Sequence, residues 1–347
     1  MAVVFRSNAS PRDAARENDV SVLVKTVLGL MLIASVGAAS AQSTPGPARD
    51  LAARTEIHSI ASLTLSDEQF LAGDSSGRPV TVAGVLRIAQ GSGRLPLVVM
   101  MHGSGGISSN VDGWSRELLS SGISTFAIDG FTGRSLVQTN TNQASLGRLN
   151  FIVDIYRSLE ILANHPRVDP SRIVLMGFSR GGQAVLYASL KRFHRLWNRS
   201  GVDFASYLPF YPDCTTKFAG DTDLVDRPIH IFQGTPDDYN PIAACKSYIK
   251  RLLAAGRSVE LTEYPNAPHA FDIPLLPRQA VILKDAQTVR RCRIEEDPQG
   301  HLQNLDTSRP FSYADACVER DPHVGYDAEA TAAAYAEVKA IIDKLNR

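Results

Sequence analysis

Between residues 95 and 264, short continuous apolar runs alternate with stretches of helical periodicity, and this alternation constrains the fold more than any other feature of the chain. LPLVVMM (Leu95–Met101), ISTFAID (Ile123–Asp129), RIVLMGF (Arg172–Phe178) and PIHIFQG (Pro228–Gly234) are apolar at nearly every position. That is the pattern of strands covered on both faces. VDFASYLPFY and SVELTEY predict two further strands. Helices are predicted between them at VDGWSRELLS, from Gln143 to His165, from Gly181 to His194, and from Pro241 to Ala255, and a last one at ATAAAYAEVKAIIDKL. Asp169-Pro170 predicts a turn. Parallel strands need crossover connections, usually helices, so the alternation predicts an α/β chain: a doubly wound, mostly parallel sheet with helices on both faces. Two earlier strands, near Ile60–Leu65 and Val80–Ile88, are expected to form an antiparallel edge.

Of the 347 residues, 44% are hydrophobic and 21% charged, a globular composition with enough chain to bury a large core. Lys+Arg and Asp+Glu both number 36, so the net charge is zero, which argues against a nucleic-acid partner needing surplus basic groups. Near the start, TVLGLMLIASVGAA (Thr26–Ala39) follows Lys25 and leads into Ala39-Ser40-Ala41, a small-x-small cleavage pattern. The run is shorter than the roughly 20 residues a membrane span requires. The expected organisation is a secretory signal over 1–41, a linker over 42–56 that includes STPGPARD, and one domain over 57–347. The expected location is exported, periplasmic or secreted, without stable membrane insertion after cleavage. The charged stretch Met1–Val24 is long for a signal n-region and stays outside the fold argument.

Export gives the four cysteines a meaning, because an oxidising compartment favours disulfides. Four cysteines allow three pairings. Pairing neighbouring segments favours Cys214–Cys245 and Cys292–Cys317, the second stapling the long, weakly periodic stretch between Phe271 and Gly325. None stands in a CxxC or zinc spacing, so no metal is expected.

Chemistry-bearing residues gather just past the predicted strands. Gly177-Phe178-Ser179-Arg180-Gly181-Gly182 contains a Gly-x-Ser-x-Gly match that carries weight through its context, an apolar strand before it and a helix after it. The turn is too sharp for larger side chains at the glycines, and it pushes Ser179 Oγ out at the carboxyl end of the sheet. The helix beginning at Arg180 directs its positive end to the same spot. His102-Gly103-Ser104-Gly105-Gly106 follows another strand and offers backbone N–H groups. With the Arg180 N–H, that of Ser104 or Gly105 would form an oxyanion hole. No Gly-Lys-Ser/Thr follows, which removes a nucleotide reading, and His102 is assigned to bracing the loop. Thr235-Pro236-Asp237-Asp238-Tyr239-Asn240-Pro241 holds adjacent aspartates, with Asn240 read as a helix N-cap and Pro241 as the first helical residue. His269 lies in PNAPHAFD, completing the order Ser…Asp…His. His165, His194 and His230 are read as structural, and Asp221, Asp223 and Asp226 as solvated surface.

HGSGG, Asp129-Gly130-Phe131-Thr132-Gly133-Arg134, VDPSRIVLMGFSRGG, GTPDDYNP and NAPHAFD together resemble the dienelactone hydrolase family of the α/β-hydrolase superfamily. The likeness spans roughly residues 95–275, and the C-terminal GYD with its following helix is in keeping. The resemblance implies the α/β-hydrolase fold and hydrolysis of a small-molecule carboxylic ester without metal or organic cofactor. The best-known family members carry cysteine in the elbow. Ser179 sets this chain beside the exported, serine-nucleophile branch. In the family pattern the triad acid stands three residues after the strand-ending glycine and four before the helix-starting proline, and both counts give Asp237. Asp238 is then expected to bond backbone N–H groups of its loop. Ser179 would attack the acyl carbon, His269 would take its proton and Asp237 would orient the imidazole. Trp114 and Arg134 fall on segments that could border the cleft. No large insertion separates the elbow helix from Cys214, so an open cleft is expected. Two other readings share the pattern: an exported peptidase of the prolyl-oligopeptidase type, and a non-catalytic binding protein on the same fold.

Overall fold

The computed structural model describes residues 49–345. The signal sequence and cleavage site expected over 1–41 lie outside the described residues. The first strands are β1 (Arg54–Thr64), β2 (Arg78–Ile88), β3 (Leu95–Met101), β4 (Ser124–Asp129), β5 (Val168–Phe178) and β6 (Ser206–Phe210). After them come the short β7 (Thr216–Lys217), then β8 (Ile229–Gly234) and β9 (Val259–Tyr264). Eight of these form one sheet in the order β1-β2-β4-β3-β5-β6-β8-β9. From β4 to β9 every pairing is parallel, whereas β1 and β2 run antiparallel at one edge. β1 begins at Arg54, inside the stretch read from sequence as linker.

Among the described residues, seven α-helices accompany the sheet: α1 (Asp67–Ala72), α2 (Ser109–Ser120), α3 (Asn150–Leu162), α4 (Arg180–Ala188), α5 (Lys191–Trp197), α6 (Ile242–Ala254) and α7 (Ala328–Leu345). Alternate residues of β3 explain its unbroken apolar run, since side chains alternate across a sheet. Leu97, Val99 and Met101 join a core with residues of α3, α4, α5 and α6. Val98 and Met100 join a second core with Trp114 and Leu118 of α2 and Ala334, Val338 and Ile342 of α7. Both faces are therefore covered, as a doubly wound sheet requires. The chain leaves β3 toward α2 on one face and leaves the neighbouring β5 toward α4 on the other. Such a divergence opens a crevice at the carboxyl ends of the two strands.

Three predicted elements come out differently. The helix predicted from Gln143 to His165 begins only at Asn150, after a separate 3₁₀ turn at Gln143–Ser145. The Asp169-Pro170 turn lies within the span of β5: Leu95 pairs with Val168 and Leu97 with Ile173, so the extra residues bulge from the strand. Asp169 Oδ1 accepts the Ser171 N–H at 3.0 Å and holds that bulge. The helix predicted from Gly181 to His194 is two helices, α4 and α5, broken at Ser189-Leu190. The Ser189 hydroxyl caps Leu186 O at 2.5 Å there, and Leu190 has extended φ and ψ.

Between His269 and α7 lie β10 (Val281–Ile282), β11 (Gln287–Thr288), β12 (Ile294–Glu296), β13 (Leu302–Asn304), β14 (Arg309–Pro310), β15 (Glu319–Arg320) and β16 (His323–Val324). They form two small two-stranded sheets and, with β7, one of four strands. Disulfides join Cys292 to Cys317 within this segment and Cys214 to Cys245 of α6. Among the described residues no helix is long and apolar enough to cross a membrane.

Candidate active site

Ser179 occupies the turn between β5 and α4 with φ 55° and ψ −114°, a backbone conformation costly for a residue with a side chain. The turn holds because its surroundings fix it: the Ser179 N–H donates to Phe210 O at 2.9 Å. The flanking glycines are demanded by close approach. A Cβ on Gly181 would stand 2.2 Å from Met101 O and 2.5 Å from His102 O, and one on Gly182 would stand 2.4 Å from Phe210 O. Helix α4 thus begins pressed against the ends of β3 and β6, and only glycine lets it come so near.

His269 comes to Ser179 from the loop after β9, with Nε2 2.9 Å from Ser179 Oγ. Its Nδ1 lies 2.7 Å from Asp237 Oδ2, on the loop after β8. A carboxylate accepts, so the ring proton sits on Nδ1 and the Nε2 lone pair faces the serine hydroxyl. His269 and Asp237 are both buried. The imidazole lies between Tyr211 and Tyr239, with ring centroids 4.8 and 4.6 Å away.

Asp237 is fully engaged. Its Oδ2 also accepts from Gln233 Nε2 at 2.9 Å, and its Oδ1 accepts the N–H groups of Tyr239 and Asn240 at 2.9 and 2.8 Å. The loop-bonding duty expected of Asp238 therefore falls to Asp237. Asp238 instead reaches the C-terminal segment, accepting the His323 N–H at 2.8 Å and facing His323 Nδ1 at 2.9 Å and Arg290 at 3.1 Å. Asn240 is not the helix cap either. α6 starts at Ile242 after Pro241, and the Asn240 amide donates to Tyr211 O at 2.9 Å, tying the acid loop to the end of β6.

The HGSGG loop passes directly beside Ser179: a Cβ on Gly103 would lie 3.3 Å from Ser179 Cβ. His102 accepts the Gly130 N–H on Nε2 at 3.1 Å and donates through Nδ1 to Gly103 O at 2.8 Å, which braces the loop. Burial pushes its pKa down, so the ring is neutral. Ser104 and Gly105 line the cavity next to Ser179. Gln143 organises this side: its amide meets Ser104 Oγ at 3.0 Å, and its Oε1 accepts from the Arg180 guanidinium at 2.7 Å. Sequence reasoning missed Gln143, Tyr211 and Tyr239. The tyrosines stand beside motif residues, but a lone Gln, read from sequence as the start of a helix and found in a 3₁₀ turn, carries no signal.

Other expected residues are placed elsewhere. Arg134 is buried away from the cavity, bidentate to Asp154 at 2.7 and 2.9 Å. Trp114 is buried, and its indole N–H donates to Asp272 at 2.7 Å. Asp221 is not solvated. It is buried and pairs with Arg251 at 2.5 Å, because α6 packs over its loop. His165 and His58 both face Glu56 Oε2, at 3.2 and 3.0 Å. His165 Nδ1 accepts the Arg167 N–H, so its proton sits on Nε2 toward the carboxylate, a hydrogen bond and not a free metal-ligand lone pair.

The cleft also has a wall that the sequence reading did not include. A cavity of about 180 Å³ opens over Ser179, and Ile273, Leu276, Leu283 and Val324 of the C-terminal segment form its far wall. This cover follows His269 in the chain, not the elbow helix. It is fastened to the site loops: Thr288 Oγ1 donates to Tyr239 O at 2.7 Å, Gln287 N–H to Asn140 O at 2.8 Å, and Gly325 N–H to His269 O at 3.1 Å.

A serine hydroxyl, an imidazole and a carboxylate in hydrogen-bonded series, beside a glycine-rich loop and a helix N-terminus, can perform acyl transfer. No curated protein matches the chain in sequence. Among solved structures, a dienelactone hydrolase-like promiscuous phosphotriesterase from metagenomic libraries is 16% identical. The alignment covers 84% of this chain and 98% of that one, with a TM-score of 0.51. A protein described as m3DLH is 17% identical over 84% of this chain and 98% of that one, with a TM-score of 0.53. At such identities the likeness concerns the fold, and the fold is that of the α/β hydrolases. The sequence model of the dienelactone hydrolase family matches residues 82–291, more than half of the chain, and the protein belongs to that family.

Proposed function

We propose that the protein is an exported serine hydrolase that cleaves carboxylic esters. The observation that carries this reading is the series Asp237 Oδ2–His269–Ser179 Oγ, with links of 2.7 and 2.9 Å, at the mouth of a cavity. Ser179 Oγ attacks the acyl carbon as His269 Nε2 takes its proton, and Asp237 stabilises the imidazolium that forms. The N–H of Arg180 at the start of α4 and that of Ser104 or Gly105 hold the oxyanion. His269 then protonates the leaving alcohol, and water, deprotonated by the same Nε2, releases the acid from Ser179. The Ser179 backbone angles support the reading, since a strained serine in a close-packed turn is the geometry of an exposed nucleophile. The two disulfides support export from a reducing cytosol, with a signal over 1–41 and the catalytic domain after the linker.

The test is Ser179→Ala, which removes only the attacking atom. Hydrolysis of p-nitrophenyl butyrate should fall by about 10⁴-fold or more with the fold intact by circular dichroism. A variant within tenfold of the parent would overturn the assignment. Turnover of aminoacyl anilides faster than of the ester would replace the esterase reading with a peptidase.

A further inference from the structure

Ser179 stands where two cavities of different character meet. The smaller, about 40 Å³, lies toward Arg180, has room for about one water molecule or a methyl group, and is lined by Arg148, Arg180, Gln183, Asp213 and Gln287. Its cations are engaged through their terminal guanidinium nitrogens, while the buried Nε of each has no partner among the described residues. Arg180 donates to Gln143 Oε1 at 2.7 Å and to Leu146 O, and Arg148 to Tyr313 Oη at 3.1 Å and Thr216 Oγ1, with Asp213 3.9 Å away.

The larger cavity, about 180 Å³, has no Lys, Arg, Asp or Glu in its lining. Phe178 stands at the serine end, and Ile273, Leu276, Leu283 and Val324 close the far end. Apart from His269 of the series described above, its titratable side chains carry no charge. Burial pushes Tyr211 and Tyr239 well above the usual phenol range and His102 below the usual imidazole range, so all three are neutral near pH 7. The carboxylate behind Tyr211, Asp272, is occupied by the Tyr211 hydroxyl at 2.6 Å, the Trp114 indole at 2.7 Å and the Asn110 amide at 3.2 Å.

We propose that the substrate is an ester with one small half and one uncharged apolar half about the size of a benzene ring, the latter seated in the larger cavity. This rests on the ester-hydrolase reading and names its substrate class. The size follows from volume, since a dry apolar cavity of about 150 Å³ takes up benzene. The charge follows from solvation. A carboxylate carried into this chamber leaves water for apolar walls without meeting a cation, and nothing there repays its desolvation. The smaller cavity takes only a methyl-sized group, so a large half on either side of the scissile bond must lie in the apolar chamber.

Two matched pairs test this: methyl hexanoate against monomethyl adipate, and hexyl acetate against 6-acetoxyhexanoate, followed by pH-stat with the full mature protein. The expected result is a kcat/KM at least 100-fold higher for the neutral ester in each pair turned over. Leu283→Lys, which sets a cation in the chamber wall, should narrow that ratio at least tenfold, while Leu283→Met should keep it. Equal rates within a pair, preference for the anion, or a ratio unmoved by Leu283→Lys would overturn the proposal. Ester turnover is distinguished from nucleophile identity by a fluorophosphonate probe. If Ser179 is labelled but no pair is hydrolysed, the substrate class is wrong; if Ser179 is not labelled, the esterase reading falls and this inference with it.

Discussion

Replacing Asp237 by Asn separates its two jobs, orienting His269 and holding its own loop. The carboxylate accepts four hydrogen bonds within 3 Å, two on each oxygen. An amide can keep only one of those oxygens. With its oxygen left on the Tyr239 and Asn240 N–H groups, its NH₂ points at His269 Nδ1 and at the Gln233 amide. The imidazole must then accept at Nδ1 and carry its proton on Nε2, where it faces Ser179 as a donor and cannot take the serine proton. The expected loss in kcat is about 10⁴-fold. The displaced Gln233 donor keeps Asn240 O at 2.9 Å, so the stability cost should stay near 1–3 kcal/mol. Asp238→Asn acts on another part of the molecule, loosening His323 and Arg290 and leaving the His269 tautomer unchanged. It should change kcat by less than about fivefold. Ester hydrolysis at saturating substrate, alongside urea unfolding, measures both effects. A larger kinetic penalty for Asp238→Asn than for Asp237→Asn would make Asp238 the acid that orients His269.

Gly181→Ala, whose Cβ would collide with Met101 O and His102 O, should cost about 3 kcal/mol or more. Gly201→Ala, with φ +74° but open space around it, should cost only about 1 kcal/mol, and thermal melts compare the two. Asp154→Ala strands the buried Arg134 guanidinium and should destabilise by about 3–5 kcal/mol in urea titrations. Burial raises the Asp238 carboxyl, but the His323 contacts and Arg290 outweigh it and hold the group below the usual carboxylate value. The stability it adds is therefore complete above the unfolded value of about 3.9 and is lost as pH falls through the lower folded value, so the gap between parent and Asp238→Asn should close on acidification. Removing the Cys292–Cys317 bridge, sequence separation 25, in a Cys292→Ala, Cys317→Ala double variant should cost about 3 kcal/mol, read by urea unfolding against the parent.

Much of this architecture could be read from the chain because the signals are local. β3 is apolar at alternate positions for two different cores, which makes its run continuous, and the elbow glycines stand where backbone meets backbone. Asp237 could be chosen over Asp238 by spacing alone, but the sharing of hydrogen bonds between them could not. That depends on His323 and Arg290, more than 50 residues further along the chain. The cover over the cavity was hidden for a related reason. Its strands are two or three residues long, too short to show a period, and long-range bonds to Asn140, Tyr239 and His269 hold it in place. Gln143 shows the same limit: its importance lies in joining Ser104 to Arg180, a contact no spacing rule announces.

In the proposed mechanism Ser179, activated by His269, is the nucleophile, and a labelling experiment tests that role. The protein is treated with a fluorophosphonate, its intact mass is measured, and the modified peptide is mapped. The expected result is one adduct per chain on Ser179, with labelling abolished in Ser179→Ala and slowed at least 100-fold in His269→Gln. An adduct on another residue, or undiminished labelling of Ser179→Ala, would contradict it.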